Sequence, residues 1–140
     1  MRNREVTLEM PGDPVAKARA RLKCGFKKRF YDAQHHIKLA SQIILQDQFK
    51  GYEPFEGPCM LSLAFFMPIK KSHWVPEGSY HYYRPDTDNL CKWIMDISNG
   101  ILYKDDCCIA VIHANKVYSH NPRTVITIRE LIEVRDIDDV

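Results

Sequence analysis

Four aspartates in the second half of the chain have types and spacing that suit metal chemistry. Asp86 and Asp88 are separated by one residue, and Asp105 and Asp106 are adjacent. Hard divalent cations such as Mg²⁺ take oxygen ligands, usually one or two carboxylates together with water and substrate phosphate. Two adjacent carboxylates also repel each other unless a positive charge lies near them. If the strand that begins at Cys107 packs beside the start of the helix that carries Asp88, then Asp86, Asp88 and Asp106 can converge on one cation.

An amphipathic helix must display the first of these carboxylates. At about 100° per residue, one side of the helix is polar and the other is apolar. The polar side holds Asp88, Lys92 and Asp96, and the apolar side holds Leu90, Ile94, Ile97 and Ile101. Pro85 favours a helix start, Asp86 or Thr87 suits the N-cap, and Asn99-Gly100 weakens or ends the helix. Lys92 therefore faces the same space as Asp88, where it can neutralise a phosphate.

The same helix residues also have a purely structural interpretation. Asp86 and Asp88 can stabilise the positive end of a helix, and Asp88 with Lys92 can form an ordinary ion pair worth a few tenths of a kcal/mol. That interpretation leaves the repulsion between Asp105 and Asp106 uncompensated. The metal hypothesis accounts for both pairs of aspartates.

Charge is segregated along the chain. The sequence has 20 basic and 18 acidic residues, a formal net charge of +2. Residues 17–29, here called the basic arm, include no acidic residue and seven basic ones: Lys17, Arg19, Arg21, Lys23, Lys27, Lys28 and Arg29. Gly25 and the flanking patterns favour an exposed loop. Such a loop suits a polyanion bound through its phosphates, although a solvated loop without a ligand has the same composition.

Residues 70–84 form a second candidate contact surface. Three cations flank a group of aromatic side chains. The cations are Lys70, Lys71 and Arg84, and the aromatic group is His73, Trp74, Tyr80, His81, Tyr82 and Tyr83. Stacking of an unpaired base on such rings is worth about 1–3 kcal/mol per base. A tyrosine cluster is equally typical of an interface or the edge of a core, so both interpretations stay open.

The remaining elements predict one small α+β domain over residues 1–140. A chain of this length can bury a single core, and 45% apolar with 27% charged residues is typical of a globular protein. Periodicity predicts a strand over 5–10, a helix over about 33–49 with Ala33, Ile37, Ala40 and Ile44 on one face, and a central strand over 59–67. Strands over 107–118 and 124–132 are predicted to pair as a hairpin. The order is strand, helix, strand, helix, strand, strand, with the helices packed on a mixed sheet and an acidic tail over 131–140 that frays.

Some classes of protein and site are disfavoured. No stretch approaches the roughly 18 apolar residues of a membrane span, and no signal-peptide block follows the first residues, so we expect a cytoplasmic protein with no membrane partner. Five cysteines lack any CxxC pair, which favours buried or idle thiols over disulfides or zinc ligands. They are Cys24, Cys59, Cys91, Cys107 and Cys108.

From residue 85 to 106 the sequence resembles the RusA family of Holliday junction resolvases, which are crossover junction endodeoxyribonucleases. The motif of that family runs Asp-x-Asp-Asn-Leu-x-Lys, followed by an Asp, by Asn-Gly and by Asp-Asp. The matching residues are Asp86, Asp88, Asn89, Leu90, Lys92, Asp96, Asn99, Gly100, Asp105 and Asp106. Residues 14–21 are more weakly similar to the basic segment of many members. Cys107-Cys108 departs from the glutamine that many members carry.

The resemblance implies a small homodimer that nicks four-way DNA junctions with Mg²⁺, or Mn²⁺ in its place, in recombination and repair. It implies that Asp86, Asp88 and Asp106 bind the metal and that Lys92 acts in catalysis. We expect three residues to support the site from behind: Asn89, Asp96 and Asp105. We expect the basic arm with Lys70, Lys71 and Arg84 to bind DNA.

Two other functions remain open from the sequence. The chain could be a DNA-binding module whose acidic residues are structural, which predicts junction binding without nicking. It could instead be a metal-dependent hydrolase of small nucleotides, which predicts turnover of mononucleotides with no preference for branched DNA.

Overall fold

The computed structural model describes residues 4–18, 21–22, 30–31 and 34–132. In chain order the elements are β1 (Glu5–Pro11), β2 (Arg21–Leu22), β3 (Phe30–Tyr31), α1 (His35–Gln48), β4 (Cys59–Pro68), α2 (Thr87–Ser98), a 3-10 turn (Asp106–Cys108), β5 (Ile109–Ser119) and β6 (Arg123–Glu130). The large sheet has the strand order β1-β6-β4-β5, and β2 pairs with β3 in a small antiparallel ladder. The predicted α+β class, the two helices and the mixed sheet are confirmed. The acidic tail from residue 133 onward lies outside the described residues.

Strand β4 is the central strand that its composition predicts. It pairs antiparallel with β6 on one side and parallel with β5 on the other. Leu61, Leu63 and Phe65 point into the buried core, and the residues between them are half-buried on the opposite face of the sheet. Strand β1 also alternates as predicted, with Val6, Leu8 and Met10 buried. The middle of the sheet is therefore built from strands that are remote in sequence.

The predicted hairpin between the last two strands is wrong. β5 and β6 follow each other in the chain, but β4 lies between them. β4, which has apolar residues on both faces, takes a central position with both of its edges paired, as its continuous apolar run predicts. The link over residues 120–122 must cross about 10 Å, two strand spacings, and four peptide units can reach roughly 13 Å. A short loop was therefore compatible with either pairing.

The two helices differ in how well their patterns predict their packing. In α2 the apolar side packs into the core as expected, with Leu90, Ile94 and Ile97 buried together with Trp93. In α1 the predicted face is only partly right: Ile44 packs against the core, but Ile37 is 46% exposed and the buried side chains are Ser41 and Leu45. Ala33 lies outside the described residues. The sequence of α1 offers apolar residues on several sides, so spacing alone does not select the packed one.

The described cysteines are free thiols. Cys59 is buried, Cys91 and Cys108 are half-buried and Cys107 is exposed, whereas Cys24 lies outside the described residues. Burial is the largest cause that raises the pKa of Cys59, to about 11, so this thiol stays protonated at neutral pH. No helix within the described ranges has both the length and the apolar content that a bilayer crossing demands.

Candidate functional site

The segment that leads into α2 is attached to the outer edge of β5. Gly78 N donates to Tyr118 O at 2.9 Å, Tyr118 N donates to Ser79 O at 2.9 Å, and His81 N donates to Lys116 O at 3.0 Å. Residue 80 bridges residue 117 in antiparallel fashion. The segment is therefore attached to the edge of the sheet by a single antiparallel bridge and its flanking hydrogen bonds, and it leads to Asp86 at the start of the helix.

Asp86 and Asp88 stand at this helix start with their carboxylates accessible. Asp86 occupies the N-cap position but its side chain makes no capping hydrogen bond. The Asp88 side chain is 67% exposed, and its Oδ2 lies 3.7 Å from the Nζ of Lys92. An exposed pair of this kind contributes well under 1 kcal/mol to stability. The stability of the helix therefore depends little on these two carboxylates, and their oxygens are accessible to a ligand.

An open cleft of about 600 Å³ lies beside Asp86. Arg84, Pro85 and Asn89 line it together with Asp86. A guanidinium, a carboxylate and an amide thus face one space at the exposed end of α2. That combination can bind a phosphate and a cation together, because guanidinium matches phosphate oxygens and carboxylate matches the cation.

Asp106 lies at the other end of α2. Its carboxylate interacts with the hydroxyl of Tyr103, and burial together with this negative charge raises the pKa of Tyr103. The same hydroxyl donates to Met95 O at 2.9 Å. Met95 follows Asp88 by seven positions, roughly 10 Å along a helix axis. These contacts link Asp106 to the later turns of α2, and among the residues that the structure describes the three carboxylates do not converge.

The three aspartates Asp86, Asp88 and Asp106 match a hard cation in the chemistry of their oxygens, but they match it only partly in their geometry. Asp86 and Asp88 supply carboxylate oxygens of the kind that Mg²⁺ takes. The Oδ1 of Asp106 is buried and has no hydrogen-bond partner among the described residues. Such an oxygen can bind a metal ion or a proton. Across the ranges described, however, no group of three His, Cys, Asp or Glu side chains is close enough to hold a metal.

Two of the three residues expected to support the site instead hold the start of the basic arm. The Oδ2 of Asp96 lies 2.9 Å from Lys17 Nζ and 3.2 Å from Lys38 Nζ. Burial alone would raise the pKa of Asp96, but the hydrogen bonds and charges of the two lysines hold that pKa below its ordinary value. The backbone of Asn89 takes part as well, since its carbonyl accepts from Lys17 N at 3.0 Å. Asp105 is exposed ahead of the 3-10 turn.

The predicted DNA-contact cations are placed only in part. Lys70, Lys71 and Arg84 are exposed, and Lys17 is 43% exposed although paired. For Arg21 the structure gives only the backbone, in β2. The other members of the basic arm lie outside the described residues: Arg19, Lys23, Lys27, Lys28 and Arg29.

The aromatic group is mostly open to solvent. Trp74, Tyr80 and Tyr82 are 72%, 76% and 78% exposed. The rings of Tyr82 and Tyr83 stack with centroids 4.6 Å apart. A second cleft of about 630 Å³ lies between Lys70, His73, Tyr83, Arg84 and Tyr118, and it shares Arg84 and Pro85 with the first. Rings and cations therefore adjoin the acidic helix start.

Sequence reasoning missed Lys116. Its Nζ donates to Tyr83 O at 2.7 Å and to Pro85 O at 2.6 Å, next to Asp86. The spacing of residues gives no signal for this contact, because it depends on the strand pairing that sets the cation of Lys116 opposite the buried Phe65. Such a residue must find hydrogen-bond acceptors, since an unpaired charge in a core is costly.

Comparisons with known proteins bear on the same stretch of chain. The family model described as endodeoxyribonuclease RusA matches residues 11–129. The chain is 34% identical over 111 residues to the protein named crossover junction endodeoxyribonuclease rusA of Lactococcus phage r1t, covering 75% of this chain and 80% of that relative. It is 27% identical over 131 residues to the uncharacterized protein YqaN of Bacillus subtilis (strain 168), covering 86% of this chain and 92% of that relative. The chain therefore belongs to the RusA family of endodeoxyribonucleases.

Proposed function

We propose that this enzyme resolves four-way DNA junctions by paired, symmetric nicks that require Mg²⁺, with Mn²⁺ as a substitute. The observation that carries the proposal is the start of α2, where Asp86 lines a cleft together with Arg84 and the exposed pair of Asp88 and Lys92 follows on the same helix. Membership of an endodeoxyribonuclease family makes phosphodiester hydrolysis the chemistry that this set serves. The phage relative, a crossover junction endodeoxyribonuclease by name, supports the branched substrate.

Asp86 and Asp88 are the proposed ligands at the helix start. When bound, the cation polarises a phosphate oxygen and lowers the pKa of the attacking water. Asp106 is proposed as the third ligand because its buried Oδ1 lacks a partner among the described residues. This role requires the 3-10 turn to approach the start of α2 in the complex.

Lys92 is proposed to stabilise the transition state. Its ammonium lies beside Asp88, so it reaches the phosphate that the metal site binds. The phosphoryl group gains negative charge as water attacks, and a fixed cation stabilises that charge more in the transition state than in the ground state.

The Lys92→Ala variant should bind junctions nearly as well as the wild type and cleave them about 10- to 100-fold more slowly. Removal of one stabilising donor typically lowers kcat 10²- to 10³-fold. The expected loss is at or below the low end of that range, because water screens a side chain that is 63% exposed. Single-turnover cleavage and gel-shift titration in chelator measure the two quantities. An equal loss of binding and cleavage would show that Lys92 is only a DNA contact.

The DNA surface is proposed to combine the basic arm with Lys70, Lys71 and Arg84. These cations would contact phosphates and release counterions, so junction affinity should fall steeply with salt. The exposed rings of Trp74, Tyr80 and Tyr82 lie between the cations in sequence and offer faces for bases that the junction leaves unstacked.

We also propose that the enzyme acts as a homodimer. A four-way junction contains two equivalent strands to cut, and a two-fold dimer presents two equivalent sites. Light scattering of the purified chain should give twice the mass of 16.4 kDa. A monomer that still made both nicks in one binding event would contradict the proposal.

One comparison tests the enzyme against its alternatives. The wild type is incubated with a synthetic four-way junction, a linear duplex of the same sequence and mononucleotides, each in Mg²⁺ or in chelator. We expect nicks at symmetric positions of the junction in Mg²⁺ only. Binding without nicking would favour the DNA-binding module, and turnover of mononucleotides would favour the small-nucleotide hydrolase.

A further inference from the structure

Lys116 occupies an unusual place for a cation. It pairs with Phe65 of β4, which is fully buried, so its side chain leaves the sheet on the face that the helices cover. The residue as a whole is half-buried. Burial lowers the pKa of Lys116, while the negative charge of Asp86 acts in the opposite direction. The ammonium is therefore within electrostatic reach of a proposed metal ligand.

The contacts of Lys116 join it to the segment that carries that ligand. Its Nζ donates to Tyr83 O at 2.7 Å and to Pro85 O at 2.6 Å, the two carbonyls that flank Arg84. Its own carbonyl accepts from His81 N at 3.0 Å. Main chain and side chain of one residue thus hold the incoming segment at three points.

This arrangement matters because the side chain of Asp86 is not held by a capping hydrogen bond. The direction of its carboxylate depends on the backbone that precedes it. Arg84 lines the same cleft and depends on the same two carbonyls for its backbone position. Cleavage is sensitive to such placement, since a shift of about 1 Å at a reacting group can cost about 10²-fold in rate.

We propose that Lys116 is a positioning residue for cleavage, which fixes the backbone of residues 83–85 and thereby sets Asp86 and Arg84 against the phosphate. The proposal rests on the function proposed above. It assigns Lys116 no contact with substrate or metal. Its role differs from that of Lys92, which lies on the exposed side of α2 beside Asp88.

Two substitutions and a control test the proposal. Lys116→Met keeps the aliphatic stem and removes the donors, whereas Lys116→Arg keeps a cation with several donors. Lys50→Met is the control, because Lys50 is an exposed lysine that follows α1. For Lys116→Met we expect kcat on a four-way junction to fall about 10- to 100-fold, the range for residues that orient metal ligands. Lys116→Arg should recover most of that loss, and Lys50→Met should match the wild type.

Amide hydrogen exchange supplies a readout that does not depend on cleavage. In chelator, Lys116→Met should raise exchange in peptides that cover residues 82–90 and leave β1 and β6 unchanged. Wild-type cleavage by Lys116→Met would overturn the proposal. It would equally be overturned if exchange rose throughout the sheet and cleavage fell only in proportion to the folded fraction. If the wild type itself failed to cut junctions, the proposed function would fall, and the exchange pattern alone would decide whether Lys116 orders the segment.

Discussion

Replacing Asp88 by Asn should lower the rate of junction cleavage at least about a hundredfold. Removing a group that only supports a metal ligand lowers activity about 10- to 100-fold, so the loss of a ligand itself should reach or exceed the upper end of that range. Asn keeps the shape of the side chain and removes the charge that a hard cation requires. The ion pair lost with Lys92 is exposed, so the free energy of unfolding should change by less than about 1 kcal/mol. Single-turnover assays in Mg²⁺ and thermal unfolding measure the two effects.

Binding separates this outcome from a general defect. Loss of one negative charge at a DNA surface should leave junction affinity in chelator equal or slightly higher. Asp47→Asn is the matched control, because Asp47 is an exposed aspartate on α1. Retention of wild-type cleavage by Asp88→Asn would falsify the assignment of Asp88 as a metal ligand.

Replacing Asp106 by Asn should lower cleavage about a hundredfold, provided that this carboxylate joins the site when DNA and metal bind. This substitution tests the metal site more strictly than Asp88→Asn does, because Asp106 interacts with Tyr103 near the end of α2. The side chain also has an alternative use as a structural partner of that hydroxyl. Calorimetric titration with Mn²⁺ should show weaker metal binding by the variant, independent of turnover.

Tyr103→Phe distinguishes the two roles of Asp106. It removes the hydroxyl that donates to Met95 O and interacts with Asp106, and it leaves the carboxylate in place. If Asp106 is a ligand, Tyr103→Phe should cleave far faster than Asp106→Asn and bind Mn²⁺ normally. Equal defects in the two variants would assign Asp106 to local structure, and the metal site would then rest on Asp86 and Asp88.

The sequence predicted those parts of the fold that depend on local periodicity. The 3.6-residue pattern of α2 and the alternation of β1 determine which of their side chains are buried, and both are confirmed. The pairing of β5 with β4 in place of β6 could not be predicted in the same way. It depends on which strand takes the central position of the sheet, and that is decided by a comparison between distant segments.

In the candidate site, too, the features that depend on local spacing could be predicted and those that depend on distant segments could not. The spacing of Asp86, Asp88 and Lys92 on one helix could be derived because helical geometry fixes it. The position of Asp106 depends on where β5 enters the sheet. The separation of Asp106 from Asp88 could therefore not be derived from the sequence. Lys116 acts on two backbone carbonyls of a remote segment, a contact that leaves no spacing pattern in the chain.

The pairing of the first strand with the last has a consequence for biosynthesis. Every residue from Glu5 to Pro11 pairs with β6, up to Glu5 opposite Arg129. Contacts this distant in sequence slow folding, since the loop between them must close first. A ribosome would have to release every residue up to Arg129 before the whole of β1 could pair. A nascent chain would thus reach DNA-cutting competence only after β6 has been synthesised and released from the exit tunnel.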